Sequence, residues 1–297
     1  MGLNIALIGY GGIASRVATA VQAMDGVQLV GAIVRTPGPA ADDGVAELSL
    51  EDALTDDALA EDVQADSAPV DGAPGRRVDL FVEAAGVPAV AEYGPRIVAA
   101  GRDLLITSVG ALADPRLRRA LLDDGPGRVY VSNGAIGGLD ILAGAALDGG
   151  LASVIPETRK APASLIQPWM NEEVTERLRS GSTGEGDGCE DGAADTEPIV
   201  LYEGDVAGAI DKFPANLNVA VALAHTTGMW DETVVKLIAD PAAHQTKHTI
   251  TASGASGTYQ FEITNNPLPD SPATSGIVVN SVITGIRTIA GASGVSV

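Results

Sequence analysis

The chain has 297 residues, 45% apolar and 19% charged, with 18 Lys plus Arg against 39 Asp plus Glu and a formal charge of −21. That length holds two domains, and the composition excludes global disorder and a repetitive fibrous chain. The acidity repels phosphate backbones and anionic headgroups, so neither nucleic acid nor a membrane is an expected partner.

The first elements alternate. Leu3–Ile8 is a short apolar run, followed by Gly-Tyr-Gly-Gly-Ile-Ala at 9–14 and by Ile13, Val17 and Val21 at helical spacing, which reads as strand, tight turn and helix. A strand at Val27–Val34 precedes a Pro/Asp/Ala-rich stretch, 36–77, with weak helical character around Leu50–Leu59. Strands at Val78–Ala84, Leu104–Thr107 and Arg128–Val131 then alternate with helical patterns on Val90, Tyr93 and Ile97 and on Pro115–Leu122. Such alternation predicts an α/β fold: an N-terminal Rossmann domain, a doubly wound parallel sheet, over residues 1–140.

Beyond residue 140 the pattern changes to strand-like segments at Leu151–Thr158, Ile199–Glu203, Val234–Asp240, His248–Ala252 and Thr258–Thr264, with a helix at Ala215–Thr226. This predicts a second, α+β domain over 141–272, built on a mostly antiparallel sheet. Glu172–Pro198 lacks apolar periodicity and reads as a mobile insert, with Cys189 in it as an incidental exposed thiol. Val278, Val282, Ile286 and Ile289 form a helical stripe, so 273–297 is expected to be a helix packing back on the first domain. No apolar run is long enough for a transmembrane helix, the N-terminus lacks the cationic start of a signal peptide, and the single cysteine cannot form an internal disulfide. A cytoplasmic location is therefore expected.

Gly9-x-Gly11-x-x-Ala14 falls between the first strand and the first helix. Gly9 permits the tight turn and Gly11 lets backbone approach a pyrophosphate. Gly12 and Ile13 open a helix whose N–H groups face it, and the small Ala14 lets helix and sheet pack closely. NAD-selective sites usually carry an acidic residue at the end of the second strand, ~20 positions on. Arg35 stands there, and a guanidinium pairs with a 2′-phosphate, so NADP as well as NAD is expected. Of the three histidines, His225, His244 and His248, one is expected to serve proton chemistry near neutral pH, but spacing does not say which. His244 and His248 have no third ligand nearby, so no metal site is expected.

Five elements stand in an order that resembles the L-aspartate dehydrogenase family: Ser108-Val109-Gly110-Ala111-Leu112, Asn133-Gly134-Ala135-Ile136-Gly137-Gly138-Leu139-Asp140, Thr158-Arg159-Lys160, Asn216-x-Asn218-Val219-Ala220, and Asp240-Pro241 followed by His248-x-Ile250. The resemblance implies a homodimeric enzyme that oxidises L-aspartate with NAD or NADP to iminosuccinate, which hydrolyses to oxaloacetate and ammonia. It makes His248 the active-site histidine and implies cofactor contacts at Ala135 and Asn218. With Gly9, Gly11, Gly12, Ile13, Arg35, Ala85 and Ser108 these form the expected cofactor set. Arg159 and Lys160 are the expected anchors for the substrate carboxylates, since guanidinium pairing suits a dicarboxylate. Two rival readings remain compatible with the residues: a dehydrogenase or imine reductase acting on another amino or keto acid, and a non-catalytic NADP-binding redox sensor.

Overall fold

The computed structural model describes residues 2–56, 77–180, 197–269 and 271–291. The chain divides into two units, Met1–Gly134 with Val278–Val297, and Ala135–Ile277.

In the first unit, β1 (Leu3–Ile8) leads through the glycine turn into α1 (Gly12–Gln22), then β2 (Val27–Ile33). Ala14, Val17, Ala18 and Val21 give α1 one buried stripe, each fully buried valine contributing about 1.5–3 kcal/mol over its exposed state. Short helices α2 (Pro39–Asp42) and α3 (Leu50–Leu54) follow. Ser49 caps α3 by accepting from the Asp52 N–H, and the helix ends well short of Leu59 because Thr55 turns to extended backbone. Then come β3 (Leu80–Glu83), α4 (Val87–Ala99), β4 (Asp103–Ile106), α5 (Pro115–Leu122) and β5 (Val129–Val131). All five strands are parallel, in the order β2-β1-β3-β4-β5. Strands β1 to β4 are buried along most of their apolar runs, as a sheet covered on both faces requires, and the edge strand β5 is half-buried. The order reverses between β1 and β3, the switch point where ligands bind such sheets.

The second unit opens with α6 (Leu139–Ala146), β6 (Ser153–Lys160) and α7 (Glu172–Ser180). It continues with β7 (Ile199–Gly204), α8 (Val206–Lys212), α9 (Asn218–Thr227), β8 (Val235–Ala239), β9 (Thr246–Gly254) and β10 (Gly257–Asn265). The strand order is β10-β9-β6-β8-β7, antiparallel except for the β6–β8 pair. Strand β6 alternates, with Val154, Pro156 and Thr158 buried and their neighbours half-buried. Helix α9, buried from Val219 to Ala224, packs on β6.

One sequence expectation is corrected here. Glu172–Ser180 is a helix and not loop: Leu178 is fully buried with Leu165, Phe213, Leu237 and Ala239, and Val174 packs on the same cluster. A stripe of two apolar residues, Val174 and Leu178, is enough because the rest of the cluster comes from other segments. Cys189 and the rest of the expected insert, 181–196, lie outside the described residues.

The last helix, α10 (Ile277–Ile289), buries Val279, Val282 and Ile286. Gly285 brings it against Leu105 of β4, where an added Cβ would lie 3.3 Å from the leucine Cδ2. Among the described residues no helix is long and apolar enough to cross a membrane.

Candidate functional site

Each unit presents its own group of candidate residues. In the first, β1 ends at the switch point and Gly9 turns with φ +86°. A Cβ there would come within 2.7 Å of the Ala85 Cβ, so the residue must be glycine on two counts. Gly11 caps α1 without a side chain, no acidic residue lies in the first turn, and a Cβ at Gly11 would meet nothing within 4 Å. Open space beside unshielded helix N–H groups is what an anionic pyrophosphate needs. Gly12 is the first residue of α1 and Ile13 the second.

A cleft of ≈ 450 Å³ runs along this edge, lined by Gly9, Gly11, Arg35, Ala85 and Tyr93 among others. These residues fit a dinucleotide. Arg35 is exposed and has no hydrogen bond or ion pair among the described residues. Its charge opposes the effects that raise the Tyr93 phenol, chiefly burial and then Glu92. Tyr10 donates to Asp43 at 3.0 Å, and burial followed by Asp43 pushes its hydroxyl up to about 12. Ser108 is buried, and its side chain donates to Glu83 at 2.9 Å.

In the second unit the antiparallel register sets Thr158 of β6 opposite His248 of β9. Thr158 Oγ1 and His248 Nδ1 lie 3.0 Å apart, both buried. Two residues along β6, Lys160 donates from Nζ to Asn216 Oδ1 at 2.8 Å. Burial lowers the Lys160 ammonium below its ordinary range. Burial, and then the Lys160 charge, lowers His248 from 6.5 to about 4. A group expected to titrate near neutrality is thus a neutral imidazole, because a second cation in so dry a place is costly.

Arg159 does not join this cluster. Strand alternation turns it to the opposite face from Thr158 and Lys160, where Nε donates to Glu157 at 2.7 Å and Nη1 lies 3.6 Å from Asp240. Those carboxylates, Glu157 first, raise its pKa. Ala135 is fixed through its carbonyl, which accepts from Asn265 Nδ2 at 2.8 Å. Asn218 begins α9 and is exposed. His225 lies in the last turn of α9, and His244 is exposed.

Sequence reasoning named Thr158 and Asn216 only within family elements, without a role, and missed Asn265 and Glu83. The period-two rule applied to Thr158-Arg159-Lys160 would have separated Arg159 from its neighbours. The other three depend on contacts between distant segments.

Two family models match the chain: "Aspartate dehydrogenase, C-terminal" over residues 140–289, and "Homoserine dehydrogenase, NAD binding domain" over residues 9–126. The chain is 35% identical to an L-aspartate dehydrogenase of Ruegeria pomeroyi over 288 residues, covering 96% of this chain and 92% of that protein. It is 32% identical to one of Serratia proteamaculans over 292 residues, covering 96% of each. Among solved structures it resembles in fold an aspartate dehydrogenase from Thermotoga maritima, with TM-score 0.65 and 24% identity over 100% of this chain and 99% of that one.

Proposed function

The chain belongs to the L-aspartate dehydrogenase family, and on that premise we propose that it oxidises L-aspartate with NAD or NADP to iminosuccinate, which water converts to oxaloacetate and ammonia, and runs the reverse reductive amination. The reading is carried by the Thr158, His248, Lys160 and Asn216 cluster, a buried neutral imidazole near the half-buried Lys160 ammonium inside the segment that the family model matches.

Bound NAD(P)⁺ supplies the acceptor for the hydride that leaves the substrate Cα with both bonding electrons. The glycine turn and the start of α1 would hold the pyrophosphate, and Arg35 would meet the adenosine ribose end, its guanidinium donating to a 2′-phosphate. Ala135 and Asn218 keep their assignment as cofactor contacts on the family resemblance, as does Ser108.

With Nδ1 engaged by Thr158, His248 offers Nε2 to the substrate. Being neutral at working pH, it takes a proton there from the attacking water as iminosuccinate is hydrolysed, and returns it to the leaving amine. Lys160 spends one of its three N–H bonds on Asn216 and has two for a substrate carboxylate. Arg159, already paired with Glu157 and Asp240, is not given the anchoring role.

Amino-acid substrate aside, we infer a homodimer in the cytoplasm without nucleic acid or membrane partners, from the family resemblance and the charge of −21. The test of the site is His248→Ala. It should lower kcat by at least ~10²-fold with cofactor Kd nearly unchanged. Retained turnover would remove His248 from the chemistry, and a collapse of cofactor binding would make its role structural.

A further inference from the structure

Glu83 ends β3 at the switch point, and its side chain is 0% exposed. Its Oε1 accepts from the N–H groups of Ala85 and Gly86, both at 2.7 Å, and from the Ser108 hydroxyl at 2.9 Å. Its Oε2 accepts from the N–H groups of Thr107 at 3.2 Å and Ser108 at 3.0 Å. Its main-chain carbonyl accepts from the Thr107 hydroxyl at 2.9 Å. One side chain therefore ties the loop after β3 to the loop after β4.

Among the described residues no Lys, Arg or His pairs with it. Five donors offset the cost of burying the carboxyl group, and all five come from the two loops, so its bonds serve to fix those loops against each other. The loop it holds is also a wall of the cleft: Ala84 and Ala85 line it, and Ala85 stands against the Gly9 turn so closely that no Cβ fits between them.

We propose that Glu83 is the positioning residue of the dinucleotide site, holding the β3 and β4 loops at the spacing the cofactor requires; this rests on the first unit's being the NAD(P) site. Among the described residues the side-chain partners of Glu83 are all donors, so the shape it imposes depends on two acceptor oxygens at once. Glu83→Gln turns an NH₂ group toward N–H donors, and Glu83→Asp keeps the charge but is too short to reach both loops.

The test titrates NADH and NADPH into the wild-type chain and the two variants by nicotinamide fluorescence, and follows with KM for cofactor and for L-aspartate. Each variant should raise cofactor Kd by at least ~10-fold, while KM for aspartate at saturating cofactor moves by less than ~2-fold. A residue that only stabilised the fold would lower the folded fraction and kcat per total protein without that split. Unchanged Kd in folded variants, or a parallel change in both KM values, overturns the proposal. Should Glu83→Gln and Glu83→Asp not fold, Thr107→Val decides: it removes the hydroxyl bonded to the Glu83 carbonyl and should raise cofactor Kd by ~3-fold or more, and an unchanged Kd overturns the proposal. A wild-type chain that binds neither cofactor overturns the functional reading as well, whereas normal wild-type binding with unaffected variants overturns this inference alone.

Discussion

Replacing His248 with Gln should abolish a specific pH dependence of stability. The imidazole is 4% exposed, and burial with the nearby Lys160 charge lowers it to about 4 from an unfolded value of 6.5. Between those values the unfolded chain binds a proton that the folded chain refuses, so stability is full above pH 6.5 and falls as the pH drops towards 4. At about 1.4 kcal/mol per unit the complete effect is about 3 kcal/mol. Between pH 7.5 and 5.5, above most carboxylate titration, it is about 1.3 kcal/mol. Urea unfolding of wild type and His248→Gln at those two pH values, at one ionic strength, isolates it. The wild type should lose about 1.3 kcal/mol more than the variant on acidification. Equal losses, or a larger loss in the variant, would refute a buried neutral imidazole. The same reasoning predicts that kcat has no acid limb at pH 6–7 arising from this group.

Two other outcomes follow from particular contacts. Arg35→Asp exchanges a free guanidinium on the cleft for a ribose-hydroxyl acceptor, and should shift the kcat/KM ratio towards NAD(H) by ~10-fold or more; an unmoved ratio means Arg35 is not the selector. Leu178→Ala empties a fully buried site among Leu165, Phe213 and Leu237, so thermal or urea unfolding should show a loss of about 2–5 kcal/mol, and a loss below ~0.5 kcal/mol would mean that α7 does not pack there.

Where local pattern decides conformation, the sequence was readable. Leu3–Ile8 is a strand with the bounds its apolar run implies, and the glycines after it occupy the turn that their spacing requires. The alternation of strands and helices led to the parallel sheet, and Tyr259, Phe261 and Ile263 to a half-buried strand. Glu172–Ser180 was misread because seven of its nine residues are polar, and its place is fixed by one leucine entering a cluster supplied by distant segments. Helix α6 was not foreseen either: its Ala- and Gly-rich sequence has a weak stripe, and its start depends on Gly138 in the left-handed region. In the site, glycine chemistry was local and therefore visible. The environment of His248 was not, because Thr158 is 90 residues away and meets it only through β6–β9 register. The same burial removed the titration near neutrality that composition alone suggested.

The central claim is a dicarboxylate-specific amino-acid dehydrogenase, and the most direct measurement is NADH and NADPH oxidation by the purified chain with ammonium and a panel of keto acids. Oxaloacetate should be turned over with kcat/KM at least ~10²-fold above pyruvate, which lacks the second carboxylate that Lys160 is proposed to bind, and above 2-oxoglutarate, whose second carboxylate lies one methylene further from the reacting carbon. A preference for another keto acid, or cofactor binding without turnover of any of them, would contradict the account.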